Sequence, residues 1–411
     1  TMSYDHDSEV SLVHRVNLPS DSKMIPLCEP CLQGRELEYV TDCMNSGWIS
    51  SNGEYVKRLE EALAEYVGVD FAVACQNGTA ALHICLILSG VQANDEVLVP
   101  TVTFIAPVNA VRYVNASPVF IDCDSCGNID ADAIRRFLSE ECVVRSGVTV
   151  NKSTGARVSA IVPVHVFGTP ADMDPIQEMA DEYGLAVVED ATEALGSLYK
   201  SRQCGGLARM GCLSFNGNKI ITAGGGGAIL TNDREVADRA RYLTTQAKDN
   251  GNEYIHRSIG FNYRMNNVLA AIGLAQLETL GERIEAKRGN FARYEHALGA
   301  DRFLQQPPWS ESNRWFYGYL CSDAASKSRL LTACEEAHIE VRPLWYLNHL
   351  QQPYRDMQAY RVTNALGLHD RVVNLPCSVN LTPEQIGRVT ATVLQIEPRL
   401  SRGQDQQGFG E

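Results

Sequence analysis

The stretch DPIQEMADEYGLAVVED, residues 174–190, decides how the chain folds. Asp174 suits an N-cap, Pro175 the first helical position, and Gln177 follows three residues after the cap, so a helix is expected to begin there. Ile176, Met179, Ala180 and Tyr183 fall on one face, and Gly184 stops the helix. Leu185–Glu189 then reads as a buried strand with Asp190 just past its end. An amphipathic helix feeding a wholly apolar strand is the repeating unit of a mainly parallel sheet covered on both faces.

The alternation continues in both directions. Residues 32–46 and 54–67 read as helices, the second with Tyr55, Leu59, Leu63 and Tyr66 at helical spacing. Phe71–Cys75 is a short buried strand, and Asn77-Gly78-Thr79 opens an apolar helix from Ala80 to Ser89. Strands are expected at Val97–Pro100, Val119–Asp122, Ala160–Val166, Gly211–Phe215 and Ala228–Thr231, with a helix beginning at Pro107–Tyr113. Residues 139–157 interrupt the pattern, with Asn151–Gly155 as a polar turn inside an insertion. A long helix around Asn267–Arg288 leaves the large domain. Trp315–Cys321, Ser326–Glu340 and Thr382–Ile396 then suggest a smaller α+β domain. The expected organisation is a loose segment 1–24, a large domain 25–285, a small C-terminal domain 286–400 and a polar tail 401–411.

The chain has 411 residues, 45% of them apolar and 21% charged, enough for a sizeable core. Its 36 Lys+Arg stand against 50 Asp+Glu, a formal charge of −14. That balance argues against nucleic acid or an anionic membrane as partner. An anionic small molecule needs only a local gathering of positive groups. No apolar run is long enough to span a bilayer, and the first 25 residues show no apolar signal core, so a cytoplasmic location is expected. Among 13 cysteines, Cys28–Cys31 and Cys123–Cys126 have CxxC spacing. Neither pair has a neighbouring histidine and the two lie far apart, so free thiols are expected and no metal site.

Four groups fall at strand ends, where open α/β sheets bind ligands. Asn77-Gly78-Thr79-Ala80 allows close approach of an anion to a helix N-terminus, though a plain strand–helix turn looks the same. Glu189 to Glu193 places acids at a strand end, where Asp190 serves either as an N-cap or as partner to a cation. Ser214-Phe215-Asn216-Gly217-Asn218-Lys219 leads into a glycine run; a lysine there is either solvated or, if buried, a nucleophile toward carbonyls. Phe104 is core packing or an aromatic platform. The dinucleotide and P-loop fingerprints are both missing. A phosphate cradle, a platform, a carboxylate and a lysine are together the parts needed to hold pyridoxal 5′-phosphate (PLP).

The segments GWISSNGEYVKRLEEALAEYVG, NGTAALH, DEVLVPTVTFIAPVNAV, VPVHVFGTPADMDPI, VVEDATEALGS, GCLSFNGNKIITAGGGGAILTND and GFNYRMNNVLAAIGLAQLE occur in this order. In them the chain resembles the DegT/DnrJ/EryC1/StrS family of sugar aminotransferases from about residue 25 to residue 397. The resemblance implies the PLP-dependent transferase fold type I (aspartate aminotransferase-like), with a mixed, mainly parallel sheet. It implies Lys219 as the Schiff-base lysine and proton shuttle, Asp190 on the pyridine nitrogen and Phe104 stacked on the ring. Gly78, Thr79 and Ser214 would hold the phosphate, and Asn262 would reach the phosphate of a second subunit in a homodimer with shared active sites. Glu193 lies where the family often has His or Gln near the cofactor's phenolic oxygen. Asn77 replaces a more usual Ser, and Gly225 a frequent Glu.

SFNGNKIIT followed by GGGG, TTQAKDN, RPLWYLNHL, LPCSV and the insertion near 139–157 resemble a branch that aminates C4 of a UDP-2-acetamido-4-keto-2,6-dideoxyhexose, for surface glycan or nonulosonic acid synthesis. L-glutamate is the expected amino donor. Lys248, Arg257, Arg264 and Arg342 flank the cofactor segments and are candidates for the nucleotide diphosphate, or else ordinary ion pairs. Trp345 and Tyr346 line the sugar or base pocket, or belong to the core of the small domain. The alternatives are a C3-aminotransferase acting on a dTDP- or other nucleotide-linked keto-sugar, and a PLP-dependent sugar dehydratase. The family's C3-dehydratase branch carries histidine in place of the lysine, which Lys219 opposes.

Overall fold

A computed structural model describes residues 24–250 and 252–397; the loose segment expected before residue 24 and the tail expected at 401–411 lie outside the described residues. In chain order, α1 (Glu36–Ser46) and α2 (Glu54–Val67) precede β1 (Phe71–Cys75), α3 (Gly78–Leu88), β2 (Glu96–Pro100), α4 (Ala106–Tyr113), β3 (Ser117–Ile121) and α5 (Ala131–Glu141). The hairpin β4 (Cys142–Arg145) and β5 (Val148–Asn151) leads to β6 (Val158–Ile161), α6 (Met173–Tyr183) and β7 (Ala186–Asp190). The two-residue strands β8 (Leu198–Tyr199) and β9 (Arg202–Gln203) come before β10 (Met210–Ser214), β11 (Gly227–Thr231), α7 (Arg234–Thr244), α8 (Asn267–Glu278) and α9 (Leu280–Leu298). The C-terminal part adds β12 (Ser310–Glu311), β13 (Tyr317–Leu320), α10 (Ala324–Glu336), β14 (Arg342–Pro343), β15 (Ala359–Tyr360), α11 (Asn364–Arg371), β16 (Val372–Leu375) and α12 (Pro383–Ile396).

The large sheet runs β1-β11-β10-β7-β6-β2-β3-β15. β11 pairs antiparallel with both neighbours, while the pairs from β10 to β15 are parallel. The core strands are buried along their whole length, as a sheet covered on both faces requires. This is the mixed, mainly parallel sheet of fold type I. β13, β16 and β14 form a separate three-stranded sheet in the C-terminal part. The two regions share apolar contacts: Val164, Val166 and Phe167 pack in one core with Phe291, Trp315 and Tyr317. The chain also crosses between them, since Ile25 pairs with the backbone at His338 and Glu340, and β15 adds an edge strand to the large sheet. Among the described residues no helix is long and apolar enough to cross a membrane. All 13 cysteines are free thiols.

Two local expectations shift, and a third gains detail. The helix α6 starts at Met173 with Asp172 as its cap residue, because Asp174 turns outward to Lys200 at 2.7 Å and Arg202 at 2.5 Å. The long helix expected at 267–288 is two helices. Thr279 leaves helical geometry and its hydroxyl donates back to Gln276 O, and α9 then continues to Leu298. The interruption at 139–157 contains a hairpin whose tight turn uses positive φ at Ser146 and Gly147, a mirror-type turn that matches strand twist.

The N-terminal helices are pinned by one buried side chain. Asn267 accepts from Tyr55 N at 2.9 Å and donates to Trp48 O at 2.6 Å, fixing α2 against α8. Replacing it strands two polar backbone groups. Asn267→Ala is therefore expected to lower the urea unfolding free energy by about 2–4 kcal/mol; a loss under about 0.5 kcal/mol would show that these bonds are not needed to join the two helices.

Candidate active site

The carboxyl ends of β7, β10, β2 and β1 carry Asp190, Ser214, the Thr101–Phe104 turn and the Asn77–Gly78 entry to α3. Asp190 is 1% exposed. It accepts a hydrogen bond from Thr192 N at 3.0 Å, and its backbone is locked by His165 N and Pro163 O. Burial pushes its carboxyl above the ordinary range, while the Thr192 hydrogen bonds and the Lys219 charge oppose that rise. A carboxylate so enclosed is stable as an anion only if a positive group faces it.

Lys219 sits in the turn after β10, closed by its own N–H donating to Asn216 O at 3.0 Å. Its amine lies 3.8 Å from Glu193 Oε1 and 4.2 Å from the centre of the Trp315 ring. Glu193 is buried and also accepts from Phe167 N at 2.8 Å. That bond steadies Phe167 in a left-handed conformation, φ 56°, which a non-glycine residue adopts only at a cost. Burial pushes the Glu193 carboxyl up to about 7 against the pull of Lys219.

The phosphate cradle has a checkable shape. The first turn of α3 has N–H groups without intrahelical partners, and Asn77 Oδ1 takes that of Ala80 at 2.8 Å. A Cβ on Gly78 would fall 2.9 Å from Ser214 Cβ and 3.2 Å from Thr192 Cγ2, so only glycine leaves the helix start open beside Ser214. Thr79 is half-buried next to it, and Phe104 is 54% exposed ahead of α4, which sets core packing aside. An open helix start at Gly78, a buried acid at Asp190 and an amine at Lys219 fit a flat, phosphate-bearing cation such as PLP.

The remaining predicted residues lie elsewhere on this surface. Asn262 is exposed and pairs through its backbone with Thr245, next to the Tyr263 O that bonds Gln76 N. Arg264 is taken up by Glu60 and Ala74 O, as an internal ion pair. Arg342 pairs with Glu340 at 2.7 Å. Lys248 lies over Tyr254 at 5.0 Å, and Arg257 is exposed with its backbone N–H on Asp249. Trp345 packs on Phe167 at 4.8 Å, while Tyr346 is 53% exposed and meets His369 edge-on. Two residues that shape the surroundings of Lys219 escaped the sequence: Trp315, which entered only as the first residue of a small-domain segment, and Asn313, which bonds Trp315 N and Glu193 O. Their place depends on tertiary contact across more than ninety residues, which no local pattern carries.

A family model described as the DegT/DnrJ/EryC1/StrS aminotransferase family matches residues 30–394. EpsN of Bacillus subtilis, named as a pyridoxal phosphate-dependent aminotransferase, is 39% identical over 383 residues, 91% of this chain and 96% of that protein. The GDP-perosamine synthase of Caulobacter vibrioides is 37% identical over 386 residues, 92% of this chain and 99% of that protein. The crystal structure of DesI in the presence of its TDP-sugar product superposes with a TM-score of 0.80 at 28% identity, covering 91% of this chain and 93% of that one.

The raised Glu193 carboxyl has a consequence for stability in the cofactor-free protein. The folded state holds this proton up to about pH 7, against an ordinary value of 4.5, so its contribution is complete below 4.5 and is lost as pH rises to 7. At roughly 1.4 kcal/mol per pKa unit the loss is about 3 kcal/mol. Glu193→Gln, which keeps the acceptor for Phe167 N, is expected to flatten that part of the curve in urea titrations from pH 4 to 8; an unchanged slope would place the proton elsewhere.

Proposed function

The chain belongs to the DegT/DnrJ/EryC1/StrS aminotransferase family, and on that premise we propose that it moves an amino group from L-glutamate to C4 of a nucleotide-linked 4-keto-6-deoxy sugar. It is a PLP-dependent aminotransferase of nucleotide sugars. The finer assignment is UDP-2-acetamido-2,6-dideoxy-4-keto-hexose as acceptor, supported by the TTQAKDN, RPLWYLNHL and LPCSV segments. A GDP-linked sugar is the second reading, favoured by GDP-perosamine synthases from three bacteria at 34–37% identity.

When bound, PLP supplies an aldehyde that holds the substrate nitrogen and a ring that withdraws electrons from the neighbouring carbon. The chain's own groups do the rest. Asp190, ionised against a cation, keeps the proton on the ring nitrogen. The open start of α3 at Gly78 and Thr79, with Ser214, takes the phosphate. Phe104 offers its exposed ring as a stacking face. Lys219 Nζ takes the proton from the carbon losing its nitrogen in one half-reaction and returns a proton to C4 in the other. Glutamate thus leaves as its 2-oxo acid, and the sugar ketone oxygen is replaced by an amine. A second copy of the chain completes the site, with its exposed Asn262 reaching across to the phosphate.

The single observation that carries this proposal is the amine of Lys219 within 3.8 Å of the buried Glu193, on the strand-end edge of the sheet that also carries the buried Asp190 and, next to Ser214, a helix start that only glycine keeps open. Incubating the protein with glutamate and UDP-, GDP- and dTDP-linked keto-sugars, with products identified by mass and NMR, tests it. One 4-amino sugar from the UDP substrate is expected, and Lys219→Ala should lower turnover at least about 1,000-fold. Amination at C3, or full-rate turnover by protein stripped of PLP, would overturn it.

A further inference from the structure

Trp315 touches both ends of Lys219. Its indole Nε1 donates to Asn218 O at 2.6 Å, the peptide at the root of the lysine, and its ring face lies 4.2 Å from the amine at the tip. The ring is 3% exposed and stacks on Phe316 at 4.0 Å with the planes 9° apart. Its own position is set by Asn313, which is fully buried. Asn313 Oδ1 accepts from Trp315 N at 2.9 Å, and its Nδ2 donates to Glu193 O at 3.0 Å and Leu195 O at 2.9 Å. One side chain therefore fixes the distance between the two groups that flank the amine, the Trp315 ring and the Glu193 carboxylate at 3.8 Å.

A lysine has four rotatable side-chain bonds, and an amine free to explore them spends little time where it must react. An aromatic face attracts an ammonium, most of all where water is excluded. We infer that Trp315, set by Asn313, is a positioning residue that holds the Lys219 amine against Glu193 and toward Asp190. This rests on Lys219 being the reacting lysine, as proposed above. Phenylalanine at 315 would keep the face over the amine and lose the bond to Asn218 O; leucine would lose both. The two variants therefore order the effect.

The test uses full-length, cofactor-free protein given pyridoxal 5′-phosphate. The lysine nitrogen replaces the aldehyde oxygen with release of one water, and borohydride then reduces the carbon–nitrogen double bond to a stable amine. Mass analysis of the Lys219 peptide against time gives the rate of capture. Trp315→Leu is expected to slow capture about ten-fold or more, and Trp315→Phe by less. Pyridoxamine 5′-phosphate, which carries an amine and cannot make that link, should bind both variants within about two-fold of wild type, because this role leaves the ring and phosphate contacts untouched. In the aminotransferase assay kcat should fall about 100-fold in Trp315→Leu while KM for glutamate holds. Capture at the wild-type rate overturns the inference, as does a loss of pyridoxamine 5′-phosphate affinity in step with capture, which would mean that Trp315 merely shapes the pocket. If the leucine variant fails to fold, Trp315→Phe decides alone by the same two measurements. No borohydride adduct at Lys219 in the wild type removes the lysine assignment, and this inference falls with it.

Discussion

A carboxylate sealed at the end of an apolar strand is the constraint around which this molecule is built. Two acids stand side by side there and meet opposite fates, because successive strand residues face opposite sides of a sheet. Glu189 is saturated: it accepts from Gly205, Leu207 and Ala208 N–H groups and from His165 Nε2, while His165 Nδ1 accepts from Ala171 N. Cys204 also lies close to this pair. With its oxygens taken by donors, Glu189 stitches the loop after β9 to the sheet and fixes the strand that carries its neighbour. Asp190 instead has the Thr192 donor and the charge of a lysine across the site. One acid is structural because four donors saturate it; the other keeps acceptor capacity beyond its Thr192 donor.

How much of this was legible in the sequence follows from the range of the interactions. The strand at 185–189 is set by local pattern, so the sheet could be read directly; Gly78 and Lys219 were each ambiguous taken singly, and their roles in the site came only from the ordered family resemblance. The start of α6 was misplaced by two residues because Asp174, an apt cap by local rules, is drawn to Lys200 and Arg202 from a later hairpin. Arg264 shows the same limit. It flanks a cofactor segment in sequence, yet Glu60, some two hundred residues earlier, claims it. Trp315 and Asn313 were invisible for the same reason, since their partners are Asn218, Glu193 and Leu195. Local chemistry fixes elements; which charged or aromatic group meets which is decided only once distant elements pack.

The acidity of the chain sharpens the question of how it would handle anions. With a net charge of −14, a general positive field is out of reach. Arg264 and Arg342 already face acids. Main-chain dipoles offer one answer without changing the charge balance: the start of α3 has N–H groups and a partial positive end, and it stays open only while Gly78 has no side chain to close it. Lys248 and Arg257, both exposed between α7 and α8, are the two candidate cations not engaged with an acid side chain in an ion pair described above.

The lysine completes the picture because it sits in a turn, not in the sheet. A side chain on a strand inherits its position from the ladder; one in a turn must be held by whatever packs on it. The carbonyl before Lys219 receives Trp315 Nε1 from the C-terminal part and the thiol of Cys28 from the N-terminal segment, at 3.6 Å. The amine is faced by Glu193 from the loop after β7. Three regions separated by most of the chain therefore converge on one residue. A family likeness confined to the βα units would then be insufficient to preserve the site, whereas the match observed here, from residue 30 to residue 394, takes in Glu193 and Trp315 and begins two residues after Cys28.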